Sequence, residues 1–175
     1  MKFVELKING QFLIAPKLFK DERGIFRRSY CTRILKKEGI NFKAKQGNIS
    51  ENPLKGTLRG FHYQNDRRDS KILTCVTGKF LNVTVDLRKK SSTFLQITKN
   101  ILSAKNKKSI LVPGGCANLF ITLKNNTIIH YYMNNIYNSK KDKGLKYNDP
   151  LIKIKWPIKP KIISSKDKKF KNLKI

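Results

Sequence analysis

FLNVTVDLR, residues 80–88, alternates strictly: Leu81, Val83, Val85 and Leu87 fall on one side, and Phe80, Asn82, Thr84 and Asp86 on the other. A period of two is that of a β-strand, here with an aliphatic face and a mixed polar face. KILTCV (71–76) precedes it across Thr77-Gly78-Lys79, the length of a hairpin connection. Downstream, SILVP (109–113) and NLFITL (118–123) flank Gly114-Gly115, and TIIHYYM (127–133) follows a turn at Asn125-Asn126. Short strands at turn-marked intervals predict an all-β sandwich or barrel. One helix is predicted over residues 29–40, SYCTRILKKEGI, where apolar residues recur near helical spacing and Gly39 closes the pattern. The final stretch, SSKDKKFKNLKI (164–175), is Lys-rich and reads as a loosely held basic tail.

A length of 175 residues suits a single domain over 1–175. The apolar fraction of 39% is enough for a core and argues against global disorder. No apolar run nears the ~20 residues of a membrane span. The start, MKFVELKINGQ, lacks the apolar core of a secretory leader. A soluble, cytoplasmic protein without a membrane partner is therefore expected. Cys31, Cys75 and Cys116 are too widely spaced for a zinc pattern and too few for a disulfide framework. The net charge of +28 invites a nucleic-acid reading, but the lysines are spread along nearly the whole chain. A solvated basic surface is favoured over a polyanion site, and its field speeds the arrival of a small anionic ligand.

Chemistry concentrates in LRGFHYQ (58–64), which holds one of only two histidines. Strand parity puts Leu58, Gly60, His62 and Gln64 on one side, and Arg59, Phe61 and Tyr63 on the other. Arg59 and His62 meet one ligand if Gly60 admits a bulge, or if Arg59 reaches across the rim or into a neighbouring subunit. Lys71 opens the next strand. His62 taken alone reads either as a hydrogen-bonded structural histidine or as an acid–base group. His130 alternates away from Ile129, Tyr131 and Met133 and reads as structural or surface. Two histidines without an HxH pair fall short of a jelly-roll metal set, so neither metal nor cofactor is expected. FKDERGIF (19–26) reads as a polar turn before a strand, or as a place where Arg23 joins Arg59 on a phosphate. Tyr131 is either a core tyrosine or a proton donor in a pocket.

Taken in order, FKDERGIF, QGNIS (46–50), KGTLRGFHYQ (55–64), SKILTCVTG (70–78), VDLRKKSSTF (85–94), LVPGGCANLF (111–120), YNDPLIKIKWP (147–157) and ISSKD (163–167) resemble the dTDP-4-dehydrorhamnose 3,5-epimerase family. The likeness covers nearly the whole chain, and LRGxHYQ with NDPxxxIxWP and SxKD is specific as a set. The resemblance implies a cupin-type jelly roll, metal-free and homodimeric. It also implies an isomerase acting on a nucleotide-linked 4-keto-6-deoxyhexose, by default dTDP-4-dehydro-6-deoxyglucose, for surface polysaccharide synthesis. C3 and/or C5 would be inverted through an enolate, which requires a base, an acid across the pocket and a cation at the oxyanion.

By matched position, the resemblance implies that His62 is the base and Asp167 the carboxylate orienting it. Lys71 would stabilise the enolate oxygen and Tyr131 return the proton. Arg23 and Arg59 would hold the diphosphate, with Phe19, Gln46 and Asn48 on the nucleotide side. Alternatives of the same fold are a single-centre epimerase, a ketoisomerase or an inactive cupin binding sugar nucleotides or polyanions. Three positions depart from the family pattern. Asn118 stands where a histidine is usual, and Asn82 where an aspartate is usual. If these two interact, two neutral amides replace a polar pair and the substrate or inverted carbon changes. Arg28 stands where glutamate is frequent; it cannot accept a hydrogen bond from a base, which raises a nucleotide other than thymidine.

Overall fold

A computed structural model describes residues 1–64 and 69–174. The strands are β1 (Lys2–Glu5), β2 (Phe12–Ala15), β3 (Leu18–Asp21), β4 (Gly24–Arg27), β5 (Gln46–Asn52), β6 (Thr57–Gln64) and β7 (Lys71–Thr77). They continue as β8 (Lys79–Asp86), β9 (Ile97–Ser103), β10 (Ser109–Val112), β11 (Cys116–Thr122), β12 (Thr127–Met133), β13 (Asp142–Gly144) and β14 (Ile162–Ile163). Two short helices are α1 (Thr32–Lys37) and α2 (Ser165–Lys168). One sheet runs β1-β2-β10-β7-β12-β5 and the other β13-β6-β11-β8-β9, with β14 added beside β6. β3 and β4 form a separate hairpin. The long strands pair antiparallel, and the two sheets face one another as a cupin-type jelly roll.

The period-two pattern of β8 explains the layering. Phe80 points between the sheets, where it meets Leu73, Cys75, Ile110, Phe120 and Ile129. Leu81, Val83 and Val85 point outward and are covered by Leu145, Ile152 and Trp156 of the C-terminal segment. Asn82, Thr84 and Asp86 share the inner face with Phe80 and are fully buried. The barrel interior is thus part apolar and part polar. On the far side, α1 and the residues after it cover the first sheet with Leu35, Ile40 and Phe42.

Two expectations are corrected. The helix predicted over 29–40 is confined to Thr32–Lys37. Cys31 stays extended at its N-terminus with no side-chain cap, and Tyr30 is held by Tyr132 and Phe42, at ring distances of 5.0 Å and 5.9 Å. Gly39 does close it, at φ +72°. The stretch 164–175, expected to be loosely held, is docked through residue 174, residue 175 lying outside the described residues. Ser164 Oγ caps α2 by accepting from Asp167 N at 3.0 Å, and Phe170 packs edge-on against His62. The Leu173 N–H donates to Asp149. The lysines face water while Phe170 and Leu173 anchor the segment, which a composition reading averages away.

Candidate active site

Between the sheets lies a cavity of ≈ 630 Å³. His62, Asp167, Tyr131, Lys71, Arg59 and Asn118 all line it. A bulge makes that convergence possible. Asn118 pairs with His62 and Phe120 with Arg59, so β6 spends one more residue over this interval than β11 does. Gly60 absorbs the irregularity at φ +118°, and a Cβ there would lie 2.6 Å from the Asn118 carbonyl oxygen. The extra residue cancels the parity that separates Arg59 from His62 in an even strand.

His62 is held from behind. Its Nε2 lies 3.2 Å from Asp167 Oδ1, and its Nδ1 3.8 Å from Asp142 Oδ1. Asp167 Oδ2 accepts the Gly60 N–H at 2.9 Å. The carboxylate is thus oriented by the same glycine that shapes the bulge. Burial works to raise the Asp167 pKa, but the His62 ring, the Gly60 N–H and Ser164 outweigh it and hold it below its ordinary value. The nearer carboxylate, Asp167, favours the tautomer that carries its proton on Nε2 and fixes the orientation of the ring.

Tyr131 stands on β12, in the sheet opposite His62, paired across the strands with Leu73 and Asn48. Burial pushes its phenol pKa upward, with Arg59 pulling back against it. Lys71 opens β7 and its Nζ lies 3.1 Å from Asp69 Oδ2. Arg59 gives one donor, Nε, to Asn52 Oδ1 at 3.0 Å, leaving the ends of its fork for a ligand. Asn118 and Asn82 do interact: Asn82 Nδ2 donates to Asn118 Oδ1 at 2.6 Å. Among the described residues, no group of three or more His, Cys, Asp and Glu side chains is arranged to hold a metal ion. His130 lies on the other face of β12, edge-on to Tyr132, away from the cavity lining.

Other expected residues are not brought into the cavity of this one protomer. Arg23 is 82% exposed and spends its guanidinium on Asp21, with Nη2 to Oδ2 at 2.6 Å. Phe19 stacks at a tilt on Phe26 in the exposed β3–β4 hairpin, and Arg28 follows that hairpin, also exposed. Gln46 and Asn48 stand beside the rim: Gln46 Nε2 donates to Asn48 Oδ1 at 2.8 Å, and Gln46 Oε1 accepts the Tyr137 N–H at 2.8 Å.

Several cavity residues escaped the sequence reading. Asp142 faces His62 and accepts from Lys166 and Tyr137. It comes from β13, which reaches the site by pairing with β6, Asp142 opposite Gln64 and Gly144 opposite His62; nothing local in the Lys-rich run 140–146 marks it. Asp69 precedes Lys71 by two residues, and strand parity was an available signal for that pair. Gln64 did not escape: strand parity already sets it on the His62 side of the strand, and it lines the cavity. Its side-chain amide is buried in the cavity wall without a hydrogen-bond partner among the described residues.

A family profile described as dTDP-4-dehydrorhamnose 3,5-epimerase matches residues 5–174. The dTDP-4-dehydrorhamnose 3,5-epimerase of Methanothermobacter thermautotrophicus is 32% identical, over 99% of this chain and 95% of that protein. The crystal structure of the Bacillus anthracis enzyme of that name, with TDP and PPi bound, is 37% identical. It covers 98% of this chain and 99% of its own, with a TM-score of 0.95. The Legionella pneumophila enzyme RmlC, in complex with dTDP-4-keto-L-rhamnose, is 32% identical with a TM-score of 0.92, over 98% of this chain and 92% of its own. With the profile spanning almost all of the sequence, the chain belongs to the dTDP-4-dehydrorhamnose 3,5-epimerase family.

Proposed function

We propose that this protein epimerises dTDP-4-dehydro-6-deoxyglucose at C3 and C5. The observation that carries the reading is the placement of a carboxylate-backed imidazole and a half-buried phenol on opposite sheets, across one cavity. His62 removes the proton alpha to the ketone, and the electron pair of that C–H bond moves into an enolate. Lys71 neutralises the developing oxyanion. Tyr131 delivers its O–H proton to the opposite face of the same carbon, and solvent restores both groups. Arg59 binds the diphosphate from the cavity rim through the free ends of its fork. The substrate is thus an isomer of the product, and the described steps need no other reactant.

The functional unit is a homodimer of 1–175 domains. The β3–β4 hairpin leaves Phe26 66% exposed, with Phe19, Ile25 and Leu18 beside it, and Ile49 is 67% exposed on the edge strand β5. An isolated two-stranded hairpin with apolar faces needs a partner surface. Laid on a second copy, it carries Phe19, Arg23 and Arg28 away from its own cavity toward the partner's, beside Gln46 and Asn48. The cytoplasm suits the three free cysteines, and among the described residues no helix is long and apolar enough to cross a membrane. Conversion of dTDP-4-dehydro-6-deoxyglucose into dTDP-4-keto-L-rhamnose, followed by NMR, tests the activity. Recovery of unchanged substrate would reject it. Sedimentation at micromolar concentration tests the dimer, which a monomer mass would overturn.

A further inference from the structure

Asn82, Thr84 and Asn118 form a relay behind the cavity wall. Thr84 Oγ1 donates to Asn82 Oδ1 at 3.1 Å, and Asn82 Nδ2 donates to Asn118 Oδ1 at 2.6 Å. Asn82 and Thr84 are fully buried and do not reach the cavity; Asn118 does. The acceptor end of the Asn118 amide is therefore spent inside the protein. Its Nδ2 has no acceptor among the described residues, and it is not sealed off as the Gln64 amide is. The cavity beside His62, its direct cross-strand neighbour, is where it opens. The relay contains two amides and a hydroxyl, so no member changes charge between pH 3 and 11.

We propose that Asn118 is a specificity-determining residue: its Nδ2 donates a hydrogen bond to an oxygen of the bound hexose, and does so independently of pH. Asn82 is a positioning residue, since it dictates which end of the Asn118 amide faces the sugar. Such a neutral group orients the sugar but supplies no proton, so proton transfer is left to His62 and Tyr131. This assignment rests on the epimerase reading for its catalytic arm, but not for its binding arm.

The binding arm uses ¹⁵N-labelled protein. The Asn118 side-chain signal, identified by its loss in Asn118→Asp, should move on adding dTDP-glucose and stay in place on adding dTDP. No movement with dTDP-glucose, or equal movement with dTDP, overturns the proposal. The catalytic arm uses Asn82→Asp. An aspartate accepts from Asn118 rather than donating to it, so the amide must turn and present its carbonyl to the sugar. Deuterium exchange into dTDP-4-dehydro-6-deoxyglucose should then fall roughly 10²-fold, the loss typical of one preorganised donor, with dTDP affinity unchanged. Exchange at the wild-type rate overturns the proposal. If Asn82→Asp does not fold, Asn118→Asp replaces the donor directly and carries the same expectation. The double variant Asn82→Asp/Asn118→His should gain a limb in its pH profile, falling as the new imidazolium loses its proton; a profile matching wild type overturns the pH-independence. Wild-type protein that exchanges no deuterium would reject the epimerase reading instead, and the dTDP-glucose shift alone then decides the role of Asn118.

Discussion

Asp167 touches His62 and Gly60 with different oxygens: Oδ1 lies 3.2 Å from His62 Nε2, and Oδ2 accepts the Gly60 N–H at 2.9 Å. One carboxylate thus ties the C-terminal segment to the bulge that aims the imidazole. His62→Asn should lower epimerisation roughly 10²–10⁴-fold, the usual contribution of a positioned acid–base group. Because His62 is at the cavity and its side chain is 28% exposed, the melting temperature should barely move. Asp167→Asn should cost activity and stability together, since an amide beside Gly60 N–H and the imidazole loses charge-assisted bonds. Steady-state rates and thermal melts of both variants check this; a His62→Asn enzyme with wild-type turnover would remove the base assignment.

Tyr131→Phe should separate the two half-reactions. Proton removal by His62 persists, so deuterium still enters from D₂O, while the yield of inverted product falls. Burial raises the Tyr131 pKa above its ordinary value of 10.0. More than half of the phenol therefore still carries its proton at pH 10.0, and any alkaline loss of wild-type activity from this group should be centred above that pH. Exchange and inversion falling in parallel would contradict the assignment.

Gly60→Ala tests the bulge. The added Cβ meets the Asn118 carbonyl oxygen at 2.6 Å and a φ of +118° that L side chains rarely adopt. A destabilisation on the order of 3 kcal/mol is expected from strain and overpacking together. Urea denaturation measures it; an unchanged midpoint would mean that the strand repacks without the bulge.

Acid stability should depend on Asp86. Burial acts to raise its pKa, but Arg88 and Thr93 win and hold it at about 2. Arg88 Nε donates at 2.8 Å and Thr93 Oγ1 at 2.7 Å. Because the folded pKa is depressed below 3.8, this stability is present above pH 3.8 and is lost as pH falls through about 2. It amounts to roughly 1–2 kcal/mol once solvent beside Arg88 is allowed for. Denaturation midpoints at pH 6 and pH 2 should converge in Asp86→Asn relative to wild type; an equal fall in both proteins would exclude Asp86.

The strands around 71–76, 80–88 and 127–133 were legible because inward and outward residues alternate without interruption. The inner polar face of β8 was legible as polar, but not as interior, since burial depends on the second sheet. Parity alone separates Arg59 from His62; only the contact of Gly60 with β11, distant in sequence, reunites them. Asp142 reaches His62 through β13, and Lys166 reaches Asp142 through α2, placements that leave no local period. Roles for Asp167 and Tyr131 came from the family likeness, because no spacing rule links residues so far apart. Phe19, Arg23 and Arg28 are each expected as ligand contacts, but they stand on or just after the β3–β4 hairpin, away from the protomer's own cavity. The dTDP substrate proposed above predicts that ligand-induced melting shifts with dTDP, UDP, CDP and GDP are largest for dTDP, which would remove the expectation that Arg28 selects another base; a larger shift with one of the others would restore it.

The central claim is that His62 and Tyr131 move protons on opposite faces of one enolate. It is tested most directly by incubating the enzyme with dTDP-4-dehydro-6-deoxyglucose in D₂O and locating the deuterium by NMR and mass. One deuteron at C3 and one at C5, both dependent on His62, is the expected result. A sugar recovered without deuterium, or labelled equally well by His62→Asn, would contradict it.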